Sequence, residues 1–400
     1  MTLIPPSEAL ARVLAAVTRA TEAETVPLAH ADARTLATDV RALRTQPPFR
    51  ASAMDGYAVR AADTGHGQPL RLIGEAAAGR PFHGAVGDGE AVRIFTGAPV
   101  PDGADAVLIQ EDARAGAGDV TPLVPVATGR HMRAAGIDFG AGDVLLRAGA
   151  VLHPRAIGLA ASMGHAALPV RRRPRVAIIS TGDELVRPGE PLGPAQIVSS
   201  NAVALSTLLA RTGAEALDMG VVPDDPDLTR RAIEASAGCD LIITCGGASV
   251  GAHDHVPAAL TAAGYRIDVW KVALRPGKPF MMAASASGLA VGLPGNPVSS
   301  YVCALLFVAP LIRALLGQPD PGAHAIETAI LGAPLPANDL REDYMRSRLT
   351  VSADGRLVAW PLPMQDSSLQ NVLAAADALL IRPAHAPAAM PGEICQVIRL

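Results

Sequence analysis

The stretch Leu241-Ile-Ile-Thr-Cys-Gly-Gly-Ala-Ser-Val-Gly-Ala-His-Asp254 decides the fold. Its first four residues are apolar or β-branched and uncharged, which predicts a short buried strand over 241–244. Glycines then remove side chains where the backbone must turn and approach something closely, and a helix is predicted over 256–263. A strand, a glycine-rich turn and a helix start form an anion-binding geometry, because N–H groups converge there and the helix dipole favours negative charge. The glycines are Gly246, Gly247 and Gly251.

Two polar residues of this stretch indicate what is bound. Ser249 adds a hydroxyl donor, whereas Asp254 would repel a bare phosphate, so we expect a divalent cation between aspartate and phosphate. The alternative is a tight strand-to-helix turn with a solvated aspartate. A Gly-Gly pair taken alone favours that alternative, so the remaining loops of the chain must decide.

Composition narrows the class of protein. At 400 residues, with 50% hydrophobic and 18% charged residues, the chain is expected to hold about two to four globular domains. A formal net charge of −4 and a pI near 6.2 provide no broad basic surface, so nucleic acid is not an expected partner. The longest apolar run, 301–312, is shorter than the roughly 20 residues that a bilayer requires, so we predict a buried helix there and no membrane association.

The cysteines and the N-terminus favour a cytoplasmic protein. The first residues lack a basic segment followed by an apolar core, so no signal peptide is expected. The four cysteines contain no CxxC pair and suggest neither a zinc site nor a disulfide framework, so reduced thiols are the expectation. They are Cys239, Cys245, Cys303 and Cys395.

Composition shifts along the chain predict a multidomain α/β plus β protein. Residues 1–46 and 138–173 form a discontinuous N-terminal domain, in which a helix capped by Ser7 packs against a second helix over 150–163. Residues 47–137, with short apolar runs between Gly, Pro and Asp turns, form an inserted β domain. Residues 174–317 alternate strand and helix, which predicts a three-layer α/β domain with a mostly parallel sheet. Residues 318–400 form a C-terminal β domain.

Four loops of the α/β domain each follow a strand, so they should lie together at the carboxyl edge of the sheet. They are 180–184, 220–225, the opening glycine loop and 292–297. Their carboxylates would repel a phosphate unless a cation intervenes, which predicts Mg²⁺ bound through oxygen ligands. The carboxylates are Glu184, Asp224, Asp225 and Asp254. Each taken alone is better explained as a helix cap or a loop residue, and only the four together on one edge favour a functional site.

Further candidate residues lie outside these loops. In Arg275-Pro-Gly-Lys-Pro279 two cations flank a Pro-Gly turn and could clamp an oxyanion, although a solvated turn is an equal alternative. In the β domain, Asp55 and Thr96 are turn-forming residue types, and neither would be assigned a catalytic role alone. The histidines form no metal-ligand set, and no Ser-His-Asp or Cys-His arrangement is present.

Six ordered motifs together resemble the molybdopterin molybdenumtransferases, the MoeA family to which the E domain of gephyrin belongs. The resemblance covers essentially the whole chain, and the set of motifs is far more specific than any single one. In chain order they are Ser52-Ala-Met-Asp-Gly-Tyr57, Thr96-Gly-Ala-Pro-Val-Pro-Asp-Gly-Ala-Asp105, Ser180-Thr-Gly-Asp-Glu-Leu185, Gly246-Gly-Ala-Ser-Val-Gly-Ala-His-Asp254, Arg275-Pro-Gly-Lys-Pro279 and Gly292-Leu-Pro-Gly-Asn-Pro-Val-Ser299.

The resemblance implies four domains in an elongated homodimer, with the active cleft between the α/β domain of one subunit and β domains of its partner. It implies insertion of molybdate into adenylylated molybdopterin, which an upstream molybdopterin adenylyltransferase supplies, with a divalent cation and release of AMP. Positions that match family motifs are Asp55, Thr96, Asp138, Glu184, Asp224, Asp254, Lys278, Pro294 and Pro297.

The C-terminal domain matches the family less closely. Arg346 and Ser367 or Ser368 correspond to an anion-binding arginine and serine, but Gln365-Asp-Ser-Ser-Leu369 departs from the usual Gly-Ser-Gly start. Arg275 stands where relatives often carry lysine. We hypothesise that Asp254 and Glu184 hold the cation while the loop from Gly246 to Gly251, with Ser249, binds phosphate.

Two other functions remain open at the level of sequence. One is a different nucleotide or sugar-phosphate enzyme on the same α/β fold, which would turn over without molybdate; the absence of a Walker lysine-serine pair argues against an ATPase. The other is a scaffold or binding protein that has kept the fold without catalysis. Loss of the carboxylates or of Lys278 would indicate the scaffold, and the sequence retains them all.

Overall fold

A seven-stranded sheet forms the centre of the computed structural model, which describes residues 3–246 and 255–400, without the side chains of 269 and 270. All neighbouring strands are parallel except Pro279–Ala284, which is antiparallel to both of its neighbours. This strand was not predicted, because it is buried on both faces and its sequence shows no alternation of polar and apolar residues. Across the sheet the strands lie in the order Leu3–Ile4, Arg266–Val272, Pro279–Ala284, Leu289–Leu293, Leu241–Cys245, Arg175–Thr181 and Glu215–Val222.

Helices cover this sheet and complete the α/β layers. Asp225 caps one of them, because its Oδ1 accepts a hydrogen bond of 2.8 Å from the N–H of Leu228. Ser200 occupies the N-cap position of another but makes no side-chain capping bond. The helices are Asn201–Thr212, Pro226–Ala235, Val256–Ala262, Pro297–Cys303 and Ala309–Leu315, the last two joined by the π-helical turn Ala304–Val308.

The continuous helix Pro297–Leu315 is the predicted buried apolar helix. By length and composition alone its 19 residues could cross a membrane, but 78% of its most apolar window is buried inside the protein. Phe307 contacts Phe280 of the central sheet, with ring centroids 4.9 Å apart. Within the described residues this helix therefore forms part of the domain core.

The N-terminal helix Pro6–Ala15 does not pack where the sequence suggested. Ala9 and Val13 are fully buried in the core of the α/β domain, against the helix Pro297–Leu315, and the strand Leu3–Ile4 extends the central sheet. The prediction that this helix packs against the helix at 150–163 is wrong, because an apolar stripe does not specify which partner covers it. The predicted Ser7 cap is also wrong, since Pro5 occupies the N-cap position.

The remaining N-terminal residues form a discontinuous unit. Strand Ala23–Pro27 pairs with Ala167–Arg171, and Val40–Arg41 pairs with Val144–Leu146, so segments more than 100 residues apart share one core. The helix Pro154–Ser162 contributes Ala156 and Ala160 to that core. A small ribbon of Ala51–Ser52 with Met132–Arg133 lies at the start of the inserted region.

The inserted region folds around a six-stranded sheet. Its strands bury Ala, Val and Ile side chains in two clusters, one on each face. In spatial order they are Ala106–Ile109, Gly56–Val59, Glu90–Ile94, Leu70–Ala76, Asp119–Pro122 and Ala113–Ala115. Short 3₁₀ turns lie at Ala61–Thr64 and Gln110–Asp112, with a further one at Leu28–His30 in the N-terminal unit.

The C-terminal residues close into a five-stranded barrel, because Glu342–Val351 pairs with both Leu357–Pro361 and Ala378–Arg382. The other barrel strands are Ile326–Leu331 and Ile394–Arg399. A short strand of the α/β domain, Leu274–Arg275, pairs with Glu342–Val351 and joins the two domains. The helix Gln370–Ala375, which was not predicted, lies against the α/β domain near Pro297–Cys303. A two-stranded ribbon, Leu185–Val186 with Ile197–Val198, lies beside the central sheet.

Candidate active site

Three loops, and Gly246 at the start of a fourth, meet at the carboxyl edge of the central sheet, where they line a cleft of about 640 Å³. The loops follow the adjacent parallel strands Leu289–Leu293, Leu241–Cys245, Arg175–Thr181 and Glu215–Val222. Parallel strands bring the ends of all four to one edge, as the sequence led us to expect. The loop residues on the cleft include Thr181, Gly182, Glu184, Asp224, Gly246, Gly295, Asn296 and Pro297.

The described part of this cleft is acidic. Glu184 and Asp224 are exposed on it, and neither forms an ion pair with another described residue. The backbone N–H of Asp224 donates to Asp183 Oδ1 at 3.0 Å, which joins the first loop to the second. Asp225, by contrast, is used as a helix cap, so its assignment to the acidic set of the site is wrong.

Gly246 shows why this position requires glycine. Its φ is +94°, and a Cβ atom there would lie 2.8 Å from Thr181 Oγ1 and 2.9 Å from Thr181 O. Because such contacts are shorter than real carbon–oxygen contacts, any side chain would push the two loops apart. The other predicted members of this loop, Gly247, Ser249, Gly251 and Asp254, lie outside the described residues.

The two described carboxylates of the cleft, those of Glu184 and Asp224, are suitable ligands for a hard divalent cation. Carboxylate oxygens of the type that Glu184 and Asp224 offer are the ligands that Mg²⁺ prefers, and both are free of ion-pair partners among residues 3–246 and 255–400. Those residues contain no cluster of three or more His, Cys, Asp or Glu side chains that could hold a metal. Glu184 and Asp224 are therefore the described carboxylates that could contribute to a cation site, and Asp254, the further predicted ligand, lies outside the described residues.

A second, basic pocket adjoins the acidic cleft. It has a volume of about 560 Å³ and shares Gly295 and Asn296 with the cleft, so a single loop separates the two. Three cations line it, Arg275, Lys278 and Arg341, against one carboxylate, Asp366. Pro294, predicted from the family motif, lines this pocket, whereas Pro297 lines the acidic cleft.

Lys278 is the cation of this pocket that is available to a ligand. It is exposed, and it forms no ion pair within the described residues. It is also one of only two lysines in the chain, the other being Lys271. A compact ammonium on a flexible stem can therefore meet an oxyanion here without first leaving a protein carboxylate.

The C-terminal part of the chain contributes the outer wall of the basic pocket through residues 365–367. Ser367 accepts a hydrogen bond of 2.9 Å at Oγ from the side-chain amide of Asn296, and its carbonyl accepts one of 3.0 Å from the N–H of Val298. Further along, Gln370 Nε2 donates to Ser200 Oγ at 2.8 Å. Ser368 lines the acidic cleft instead, so these adjacent serines face different pockets.

Arg346 lies behind this wall and is the largest fully buried side chain of the described residues, at 2% exposure. Its guanidinium donates to Tyr344 O at 3.2 Å and to Asp366 O at 3.5 Å, while its Nε has no hydrogen-bond partner. Burial lowers the pKa of Arg346. The side chain lines a third cavity of about 400 Å³, which shares Arg275 and Gln365 with the basic pocket. A buried cation with an unused donor indicates a position suited to an anion.

Three predicted residues lie apart from these cavities. Asp55 and Thr96 are exposed on the inserted β domain and are hydrogen-bonded to each other. Asp138 is exposed in a turn, where its N–H donates to Gln46 O at 3.1 Å. None of the three lines the cleft or either adjoining pocket within one chain.

Sequence reasoning missed the polar residues that hold the loops together. Asn201 Nδ2 donates to Gly295 O at 2.7 Å, and Asn296, Asp183 and Gln370 make the contacts described above. Their residue types are common in caps and turns, so no local pattern distinguishes them. Only the position of Asn296 within the Gly-Asn-Pro motif could have drawn attention to it.

Comparison with known proteins agrees with this architecture. Three family models match successive parts of the chain: the MoeA N-terminal region (domains I and II) at 4–164, a probable molybdopterin binding domain at 177–314 and the MoeA C-terminal region (domain IV) at 328–400. The chain is 38% identical over 401 residues to molybdopterin molybdenumtransferase 2 of Mycobacterium tuberculosis, covering 96% of this chain and 97% of the relative. It is 36% identical to the molybdopterin molybdenumtransferase of Bacillus subtilis, covering 99% and 94%.

Solved structures show the same fold. The crystal structure of a molybdopterin biosynthesis MoeA protein from Pyrococcus horikoshii covers 100% of this chain and 99% of its own, with 30% identity and a TM-score of 0.85. Fold and cleft together define a multidomain α/β protein with a MoeA-like arrangement of N-terminal, central and C-terminal domains. With the extent of these matches, the chain belongs to the MoeA family, that of the molybdopterin molybdenumtransferases.

Proposed function

We propose that the protein is a transferase of molybdenum cofactor biosynthesis that inserts molybdate into adenylylated molybdopterin and releases AMP. One observation carries the proposal: an acidic cleft and a basic pocket lie side by side, with only Gly295 and Asn296 between them. Such a pair suits one reaction that joins a phosphate-bearing ligand and a free oxyanion. The names of the relatives support the same activity.

The acidic cleft would take the phosphates of the adenylylated ligand. The carboxylates of Glu184 and Asp224 repel a phosphate unless a cation lies between the carboxylates and the phosphate. We therefore propose that Glu184 and Asp254 hold Mg²⁺ at this position. When bound, Mg²⁺ would neutralise the charge that develops on the phosphate oxygens during displacement. The polypeptide supplies the carboxylates, the tight turn at Gly246 that leaves space for the ligand, and the hydroxyls of Thr181 and Ser368 on the wall.

The basic pocket would take molybdate, a tetrahedral dianion. Lys278 offers an ammonium without a competing carboxylate, and Ser367 offers a hydroxyl. Arg346, which lines the adjoining third cavity, offers a buried guanidinium with an unused donor behind this pocket. From there molybdate reaches the phosphate across the loop of Gly295 and Asn296. One molybdate oxygen is transferred to phosphorus, the P–O bond of the pyrophosphate breaks, and AMP leaves. The two dithiolene sulfurs take the place of that oxygen and of a second one on the molybdenum, and the second oxygen leaves as water with the protons of the two thiols.

We also propose that the working form is a cytoplasmic homodimer that receives its substrate from a molybdopterin adenylyltransferase. Asp55, Thr96 and Asp138 match family positions but lie outside the cavities of their own chain. A partner subunit that presents its β domain to the cleft accounts for their place in the family motifs. Four free cysteines, three of them buried, are consistent with a reducing compartment.

A direct test measures AMP release from adenylylated molybdopterin with and without molybdate and Mg²⁺. We expect release only when both are present. Release without molybdate would favour a different phosphate-ligand enzyme, and tight binding of the substrate without any release would favour a scaffold.

The two lysines allow an independent test of the oxyanion pocket. Reductive methylation of the purified protein followed by mass spectrometry reports Lys278 and Lys271 separately, and Lys271 is the internal control. We expect molybdate to slow modification of Lys278 without affecting Lys271. Equal protection of both lysines, or of neither, contradicts the proposed location of molybdate.

A further inference from the structure

Arg275 is not a free cation of the basic pocket. Its Nη2 lies 2.6 Å from Asp339 Oδ2, and its Nε lies 2.9 Å from Asp343 Oδ1. Both carboxylates belong to the C-terminal part of the chain, whereas Arg275 belongs to the α/β domain. The Asp343 contact is electrostatic rather than a directed hydrogen bond, because neither atom meets hydrogen-bond geometry. Two negative charges therefore already compensate the charge of Arg275.

The backbone reinforces this ion-pair cluster. Leu274 and Arg275 pair in parallel with Glu342 and Asp343, and the N–H of Glu342 donates to Ala273 O at 2.9 Å. The turn that follows, through Pro276 and Gly277 to Lys278, is thereby attached to the barrel at its first residue.

The carboxylates are themselves held in place. Asp339 Oδ1 accepts from the N–H of Arg341 at 2.9 Å, and this bond, together with Arg275 and Arg341, lowers the pKa of Asp339. Asn338 fixes the preceding backbone by donating its side-chain amide to the carbonyls of Arg341 and Arg382. Asp343 is the more buried of the two, with 15% of its side chain exposed. Arg275 consequently contacts carboxylates that are themselves hydrogen-bonded or buried and that line the third cavity, whereas Lys278 lines the basic pocket.

We propose that Asp339, Asp343 and Arg275 form an interdomain latch that positions Lys278, and that Arg275 is a positioning residue rather than a ligand of the oxyanion. This inference rests on the proposed function for the identity of the oxyanion, but not for the latch itself. The physical reason is competition: a dianion that used Arg275 would have to replace two carboxylates already in contact with it, whereas Lys278 has no such partner among the described residues.

Neutralising one aspartate distinguishes a positioning role of Arg275 from direct binding of the oxyanion, because the two roles predict opposite changes in oxyanion affinity. If Arg275 binds the oxyanion and Asp343 only competes with it, Asp343→Asn removes a negative charge, frees Arg275 and strengthens oxyanion binding. If the three residues are a latch, the same change loosens the turn and weakens binding, although a negative charge has been removed next to an anion site. Asp339→Asn gives the same contrast from the other carboxylate.

The experiment measures the dissociation constant of molybdate by calorimetry and the KM for molybdate in AMP release. We expect Asp339→Asn, which removes a partly exposed ion pair, to raise both quantities about three- to five-fold with kcat little changed. Asp343→Asn, whose carboxylate is more buried, should raise both quantities at least as much, again with kcat little changed. Lys278→Ala gives the reference loss. Arg348 lies on the same barrel strand as Asp343 and forms an ion pair with Asp377. Arg348→Ala removes that ion pair and serves as the matched control, for which no change in molybdate binding is expected. Tighter molybdate binding by either aspartate variant overturns the latch.

Hydrogen exchange provides a readout that does not depend on molybdate. We expect the amide of Glu342, which donates to Ala273 O, to exchange faster in Asp343→Asn than in the wild type, and to be unchanged in Arg348→Ala. Unchanged exchange in Asp343→Asn overturns the latch. Should the wild-type protein bind no molybdate, the proposed function fails, and the exchange measurement alone still decides whether the latch exists.

Discussion

Asp55 Oδ1 accepts two hydrogen bonds from Thr96, one from the backbone N–H and one from the hydroxyl, each 2.8 Å long. The two residues are separated by 41 positions and belong to different motifs of the inserted domain. These two bonds hold the pKa of Asp55 below its ordinary value, with a smaller contribution from Arg93. The Arg93 guanidinium in turn lies over the rings of Tyr57 and Phe95, with its Cζ 4.9 Å from each centroid. An exposed carboxylate is thus fixed in one orientation and kept ionised.

Replacing Thr96 by Val should therefore raise the pKa of Asp55 toward its ordinary value, because the hydroxyl bond is lost while the backbone bond remains. A carboxyl whose pKa is lowered by folding contributes stability above its unfolded pKa and loses it as pH falls through the folded pKa. The variant should accordingly lose less stability on acidification than the wild type. Titration of Asp55 by NMR checks the shift. Thr96→Ser, which keeps the hydroxyl, should behave like the wild type, and an unchanged pKa in Thr96→Val would contradict the interpretation.

Gly246→Ala should destabilise the protein more than Gly238→Ala. Both glycines have positive φ, +94° and +83°, so both variants incur about 1 kcal/mol of backbone strain. Only at Gly246 does the new Cβ meet atoms, those of Thr181, which adds roughly 1–3 kcal/mol of overpacking. Chemical denaturation measures the free energy of unfolding of each variant. Equal losses would show that the loops of the cleft can separate freely at this point.

Asp224 and Asp225 are adjacent, but removing their side chains should affect different properties: stability for Asp225 and the Mg²⁺ dependence of the reaction for Asp224. Asp225→Ala loses the helix cap on Leu228 and should lower the free energy of unfolding by about 1 kcal/mol, without changing the Mg²⁺ dependence of AMP release. Asp224→Ala should leave stability unchanged. It should raise the Mg²⁺ concentration required for half-maximal rate, because a carboxylate of the acidic cleft is lost. A Mg²⁺ dependence that shifts in both variants, or in neither, would argue against this division of roles.

Arg346→Met should abolish stabilisation by molybdate without destabilising the free protein. Burying a guanidinium with an unused Nε and no carboxylate at ion-pair distance among the described residues is costly, and an apolar side chain of similar length removes that cost. We expect the unfolding temperature of the unliganded variant to equal or exceed that of the wild type, and its increase on addition of molybdate to disappear. Arg348→Ala, on the outside of the same strand, is the control. A large loss of stability in unliganded Arg346→Met would mean that the arginine is structural.

Hydrophobic periodicity, which is a local property of the sequence, predicted the positions of individual strands and helices well. The strand Leu241–Cys245 and the helix Val256–Ala262 lie within one residue of their predicted positions, 241–244 and 256–263. Convergence of the carboxyl ends of the four strands could be predicted as well, because parallel strands place these ends at one edge of the sheet. Prediction was poorer for Pro279–Ala284, whose two buried faces remove the alternation that marks a strand.

The partners of these elements were decided by tertiary structure. An amphipathic helix such as Pro6–Ala15 specifies that one face will be buried, but the shape of the available surface selects the domain that buries it. Asp225 caps a helix, whereas the adjacent Asp224 lines the cleft. Which of the two residues is the cap depends on the residue at which the helix begins. Arg275, which the motif suggests is an oxyanion clamp, faces two carboxylates that lie more than 60 positions away.

By itself, the sequence determined the family, the order of the domains and the chemical types of the side chains at the sheet edge, because motifs and periodicity are local properties of the chain. Which charges remain available to a ligand was decided only in three dimensions. Lys278 and Arg275 are equivalent cations in the sequence, yet folding brings Asp339 and Asp343 to one of them and leaves the other exposed. The physical reason is that electrostatic compensation depends on distance in space, which a one-dimensional pattern does not encode.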